Sequence, residues 1–220
     1  EGNPFRDAAL AGLLGFVLGT ALAVYRDRTD PVVRSPGQIT GIGLRHLGTI
    51  DVLQDPTNAK EPFRRLAVEC VRPGQDLDAG QVVLVVGLGE ADQSAKAIAA
   101  GLAAGFVACG RQATLVDVVS GEYRAKGLSD ILEGACDWAA CISEDSEGVL
   151  HIGPGTKGES VDTLLLDRAR YKRFGKPSND DEHIVIAGPS IVHSATAVAL
   201  TAVADSALVV ATLGQSRVAD

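Results

Sequence analysis

The residues best placed to do chemistry lie between Gly87 and Ser94. They read Gly87-Leu-Gly-Glu-Ala-Asp92-Gln93-Ser94. They follow a continuous apolar run and precede an Ala-rich one, so they form a strand–loop–helix junction. Such junctions bind phosphate through backbone N–H groups and the positive end of the helix dipole. A phosphate-cradling loop of the form G-x-x-x-x-G-K-[ST] needs a second Gly and a Lys before its hydroxyl residue. Here Gly87 and Ser94 fit the frame, but Asp92 stands at the second Gly and Gln93 at the Lys. Gln93 brings no charge to a phosphate, and Glu90 and Asp92 bring the wrong sign. A β-carbon at position 92 also crowds the nest of N–H groups. Lys96, one turn on, is the nearest candidate cation. Gly87-x-Gly89-x-x-Asp92 also matches part of a dinucleotide-binding fingerprint, without its third Gly.

Other reactive side chains form no recognisable set. The histidines (His46, His151, His183, His193) lack metal-ligand spacing, and no metal is expected. Cys70, Cys109, Cys136 and Cys141 contain no CxxC pair, and they read as ordinary buried thiols of a reducing compartment. The net charge of −8 and the absence of a basic stripe argue against nucleic acid as a partner.

The loop needs a scaffold, and the composition supplies one. Hydrophobic residues make up 46% of the 220, aromatics only 4%, so the core must be built from Ala, Val, Leu and Ile. Strands are expected at 81–87, 112–118, 149–152, 183–187 and 207–212. Helices are expected at 92–109, 128–133, 160–174 and 194–204, with another at 61–71 opened by Pro62. This alternation predicts an α/β fold, a P-loop-like parallel sheet with helices on both faces.

The N-terminal residues have a different character. Ala8 to Tyr25 carry no charge, and as a helix they would measure about 27 Å, close to a bilayer's hydrocarbon thickness. Arg6 and Asp7 precede the run; Arg26, Asp27, Arg28 and Arg34 follow it. The cationic excess on the C-terminal side predicts a transmembrane helix with the rest of the chain in the cytoplasm. The expected organisation is an extracytoplasmic end (1–7), the membrane helix (8–25), a linker (26–60) rich in Pro and Gly, and the α/β domain (61–220).

The order of these segments resembles the bacterial tyrosine autokinase and polysaccharide co-polymerase family, from its second membrane helix onward. The stretches that carry the resemblance are RDRTDPVVRSPGQITGIGLRHLGTID, EPFRRLAVECV, ACGRQATLVDV, GLSDILEG, LHIGPGT and HIVIAGPSIVHSATAVALTAVADSALVVATLGQSR. They are spread from Arg26 to Arg217, so the resemblance runs along nearly the whole chain. The resemblance implies an inner-membrane protein whose domain binds Mg-ATP and phosphorylates tyrosines of a neighbouring subunit in a ring, regulating capsule or exopolysaccharide polymerisation and export.

This sequence departs from the family at each catalytic point. Gln93 replaces the P-loop Lys. Asp117 is kept on its strand, but the second acid of that motif is Val119. The strand that should end in Asp ends in Ala187. The oligomerisation helix keeps Glu61 and Arg64, while Ala67 replaces its second Arg. Tyr25, Tyr123 and Tyr171 are dispersed rather than clustered. These departures predict a non-catalytic, pseudokinase-like scaffold without a cofactor, self-associating at the membrane with a polysaccharide polymerase or export machinery. Two alternatives stay open. One is an active kinase or ATPase using Lys96, Asp117 and Asp205, with Tyr123 or Tyr171 as substrate. The other is a Rossmann-type dinucleotide binder.

Overall fold

The computed structural model describes residues 4–29, 32–41, 43–50, 60–71, 80–119, 126–156, 161–166, 181–192 and 194–216. Tyr123, Tyr171 and His193 lie outside the described residues. The chain divides into two units, Glu1–Val32 with Val218–Asp220, and Val33–Arg217. The first unit holds helix α1 (Pro4–Thr29). Leu13, Leu14, Phe16, Val17, Leu18 and Leu22 are exposed along it. The 8–25 span expected from the sequence lies inside this helix. Among the described residues, however, no helix is long and apolar enough to cross a membrane.

In the second unit a short helix α2 (Pro36–Gly41) precedes α3 (Lys60–Cys70). The alternation then runs β1 (Val82–Gly87), α4 (Asp92–Ala108), β2 (Ala113–Asp117), α5 (Leu128–Glu133), a single 3-10 turn at Trp138–Ala140, β3 (Ser143–Glu144), β4 (Leu150–Ile152), α6 (Val161–Leu166), β5 (His183–Ala187), α7 (Ala195–Thr201) and β6 (Ser206–Val210). The strands order as β3-β4-β2-β5-β1-β6.

The sheet is mixed, which corrects the all-parallel expectation. Strands β1, β2, β4, β5 and β6 pair in parallel, but β3 pairs antiparallel with β4. Two exposed polar residues, Ser143 and Glu144, give no strand signal in the sequence. They reach β4 through the tight turn around Gly148, whose φ of 81° suits glycine.

Side-chain alternation along the central strands builds two cores. Leu84, Val86, Val116, Ile184 and Ile186 face α5, α6 and α7 on one side. Val83, Val85, Leu115 and Val185 face α4 on the other, with α3 outside it. Every residue of β1 and β5 is buried, which is why both read as continuous apolar runs. Helix α3 sits close against α4 because Gly101 and Gly105 leave a notch for Phe63. A β-carbon on Gly101 would collide with the Phe63 ring, and one on Gly105 would come within 2.5 Å of the Phe63 carbonyl oxygen.

The cysteine expectation is corrected. Cys136 and Cys141 are joined in a disulfide. Cys109 is exposed, and Cys70 is half-buried. Burial, reinforced by Glu69 and opposed by Arg45, pushes the Cys70 thiol up to about 11. The 3-10 turn at Trp138–Ala140 folds the chain back, so that a C-x-x-x-x-C spacing closes.

Candidate functional site

Parallel strands bring their C-terminal ends to one edge of the sheet, and the sequence-predicted residues gather there. Gly87 ends β1, Asp117 ends β2 in register with Ala187 at the end of β5, and Val210 ends β6 in register with Gly87. Gly87 is required sterically, since a β-carbon would lie 2.8 Å from the Ala91 carbonyl carbon and 3.0 Å from the Asp92 nitrogen. The loop therefore curls directly over its own strand. Gly89 takes the left-handed conformation at φ 68°. Asp92 begins α4, where a carboxylate complements the helix dipole. Gln93 is exposed and Ser94 half-buried in the first turn.

The segment after β6 braces this loop. The Ser216 hydroxyl is buried and donates to the Leu88 carbonyl at 2.9 Å, while accepting from the Thr212 N–H at 2.9 Å. The Thr212 hydroxyl lies 3.3 Å from that of Ser94. Leu88 N–H in turn donates to the Val210 carbonyl at 2.9 Å. Sequence reading missed Thr212 and Ser216, since neither belongs to a motif and their role exists only after the strands align. An open cleft of about 1600 Å³ adjoins the loop, with Gln93, Ser94, Thr212, Leu208, Arg65 and Leu47 in its walls.

Two charged groups of the site, Lys96 and Asp117, pair with each other, whereas Asp92 Oδ1 is buried with no hydrogen-bond partner among the described residues. Lys96 Nζ lies 2.8 Å from Asp117 Oδ2. The other Asp117 oxygen accepts the Val119 N–H at 2.9 Å. Ala187 is fully buried and offers only its backbone, whose carbonyl accepts the Val118 N–H at 3.0 Å. Among the described residues, no group of three or more His, Cys, Asp or Glu could hold a metal ion.

Mg-ATP, which the sequence resemblance implies, asks for a cation toward the β/γ-phosphates and carboxylates toward the metal. Gln93 and Ala187 offer neither, and Asp117 is engaged by Lys96. The residues present do not fit that group.

Asp205 does not join the site. Its Oδ2 accepts the N–H of Val82, the first residue of β1, at 2.8 Å. Val82 and Gly87 stand five residue steps apart at opposite ends of β1, roughly 16 Å. A displaced centre of Lys96, Asp117 and Asp205 is therefore not assembled. Glu61 and Arg64 face each other on exposed turns of α3, 3.6 Å apart.

The GLSD segment packs on the loop that leaves the C-terminal end of β4, at the same edge of the sheet. Asp130 accepts N–H bonds from Gly127 at 3.0 Å and Thr156 at 2.9 Å, and the Thr156 hydroxyl at 2.5 Å. Burial opposes its ionisation, but the Thr156 and Gly127 bonds outweigh that and hold the carboxyl below the usual carboxylate range. Asp130 thus ties the GLSDILEG helix to the LHIGPGT loop as a structural clasp.

No protein-family model and no curated protein matches the chain. Solved structures do. The chain is similar to the chimerical protein CapA2B2, with a TM-score of 0.61 and 16% identity over 80% of this chain and 85% of that one. It is similar to the kinase domain of the Escherichia coli tyrosine kinase Etk, with a TM-score of 0.59 and 18% identity over 83% of this chain and 76% of that one. The BceF tyrosine kinase domain follows, at a TM-score of 0.50 and 17% identity over 82% and 78%. The chain therefore carries the fold of the bacterial tyrosine kinase domains, in agreement with the resemblance in its sequence.

Proposed function

We propose that this chain is a membrane-anchored, non-catalytic relative of the bacterial tyrosine kinases. Its role is to scaffold or regulate capsule or exopolysaccharide polymerisation and export through self-association. The observation that carries the reading is the Lys96–Asp117 ion pair. It spends the site's retained acid on an internal partner, at a place where Gln93 and Ala187 supply neither the cation nor the second carboxylate. The fold is kept while the phosphoryl-transfer groups are not, which favours contact over chemistry as the retained role.

The anchor is helix α1. No described helix is long and apolar enough to cross a membrane, but the uncharged run from Ala8 to Tyr25, the exposed apolar side chains and the Arg-rich residues after it favour attachment of α1 to the membrane, with the α/β unit on the cytoplasmic face. Self-association is assigned to α3, whose Glu61 and Arg64 are exposed and whose pairing with each other is weak enough to exchange for a neighbour's charges. The polymerase or export machinery would be the further partner.

Cross-linking of the full chain in membranes tests this role. The expected result is oligomers that form without nucleotide and weaken in Arg64→Ala. A monomer in membranes, or nucleotide-dependent phosphate on Tyr123 or Tyr171, contradicts it.

A further inference from the structure

The disulfide lies at the β3 edge of the sheet, the opposite edge from β6, and plays no part in the candidate nucleotide site. We propose that Cys136 and Cys141 form a reversible redox site whose moving part is the loop that carries Trp138.

The loop is anchored at both ends by groups other than the sulfurs. Upstream, α5 closes on Gly134 in the left-handed conformation, with Gly134 N–H donating to Ile131 O at 3.0 Å and Ala135 N–H to Asp130 O at 2.8 Å. Downstream, Ser143 pairs with His151 across β3 and β4. Between these anchors the disulfide links residues five apart in sequence. So short a ring removes less chain entropy from the unfolded state than a long one would, and the hydrogen bonds at both ends hold the loop's anchors independently of the sulfurs. Trp138 sits inside the ring and packs, with Cys136 and Ile142, on the core formed by α5 and β4. Reduction therefore loosens the Trp138 loop while leaving both anchors in place.

Access differs between the two sulfurs. Cys141 is buried and Cys136 is half-buried. The reductant is a dithiol of the CxxC class. Its thiolate attacks Cys136 Sγ and forms a mixed disulfide, and Cys141 leaves as a thiolate that takes a proton. The reductant's second thiolate then displaces Cys136. The pair gains two electrons and two protons, and the reductant becomes a disulfide. Oxidised glutathione runs the exchange in reverse. On the cytoplasmic face proposed above, disulfides are transient and redox-sensing rather than permanent.

Trp138 is the chain's single tryptophan, so its emission reports the loop directly. The experiment equilibrates the folded full chain across reduced-to-oxidised glutathione ratios. It then counts thiols by alkylation and mass spectrometry and records tryptophan emission and far-UV dichroism. The expected result is two further alkyl adducts, on Cys136 and Cys141, appearing together as the buffer becomes reducing. Trp138 emission shifts to the red over the same ratios, with dichroism unchanged. Exposed Cys109 is alkylated throughout as an internal control. Cys136→Ser abolishes both transitions, and Cys109→Ser keeps them. Thiols that stay free in the most oxidising buffer overturn the proposal. So does a disulfide that opens only on unfolding, or one that exchanges without moving the Trp138 emission.

Discussion

Lys96 Nζ and Asp117 Oδ2 stand 2.8 Å apart, joining the second turn of α4 to the end of β2. The two residues are remote in sequence and meet only because β1 and β2 run parallel with β5 between them. Their side chains are 39% and 15% exposed, so the pair is partly screened by solvent. A double-mutant cycle with Lys96→Gln and Asp117→Asn should give a coupling of about 1 kcal/mol, read from urea midpoints and diminishing with salt. Additive mutants would show that the pair contributes nothing.

The notch between α3 and α4 has a sharper consequence. Gly101→Ala forces a β-carbon into the Phe63 ring. The expected loss is about 1–3 kcal/mol of unfolding free energy. Phe63→Ala in the same background should recover part of it, because it removes the colliding ring. A Gly101→Ala protein as stable as the parent would contradict the observed α3–α4 contact.

His183 makes stability depend on pH. The ring is stacked on Phe106 at 4.2 Å between centroids, and neither ring nitrogen has a hydrogen-bond partner among the described residues. Burial first, and Arg111 second, hold its pKa below the ordinary histidine value. The unfolded chain therefore binds this proton at a higher pH than the folded one. The contribution is complete above the unfolded value near 6.5 and is lost as pH falls through the depressed folded value. Urea midpoints should fall as pH drops from 7.5 toward 5. His183→Phe should flatten that fall. An equal fall in both proteins would assign it to other groups.

Much of this architecture can be read from the chain before any coordinates. The runs at 82–87 and 183–187 are buried on both faces, so their apolar continuity marks strands directly. Helix α4 is Ala-rich along its length and starts at Asp92, as its pattern implies. Strand β3 is illegible because two exposed polar residues become a strand only by pairing with β4. The Cys136–Cys141 bond depends on a 3-10 turn that no spacing rule signals. Asp205 looks available to a displaced site until its carboxylate is found at the start of β1. The substitutions at Gln93 and Ala187 are visible in the sequence. The diversion of Asp117 to Lys96 is a tertiary fact, and it decides how those substitutions are interpreted.

The central claim is that the site no longer handles nucleotide, and calorimetry of Mg-ATP and Mg-ADP against the full chain tests it most directly, with Gln93→Lys measured beside it. No binding heat is expected from the natural sequence. None is expected from Gln93→Lys either, because restoring one cation leaves Ala187 without a carboxylate and Asp117 held by Lys96. Tight, magnesium-dependent binding by the natural sequence would overturn the non-catalytic reading in favour of a kinase or ATPase.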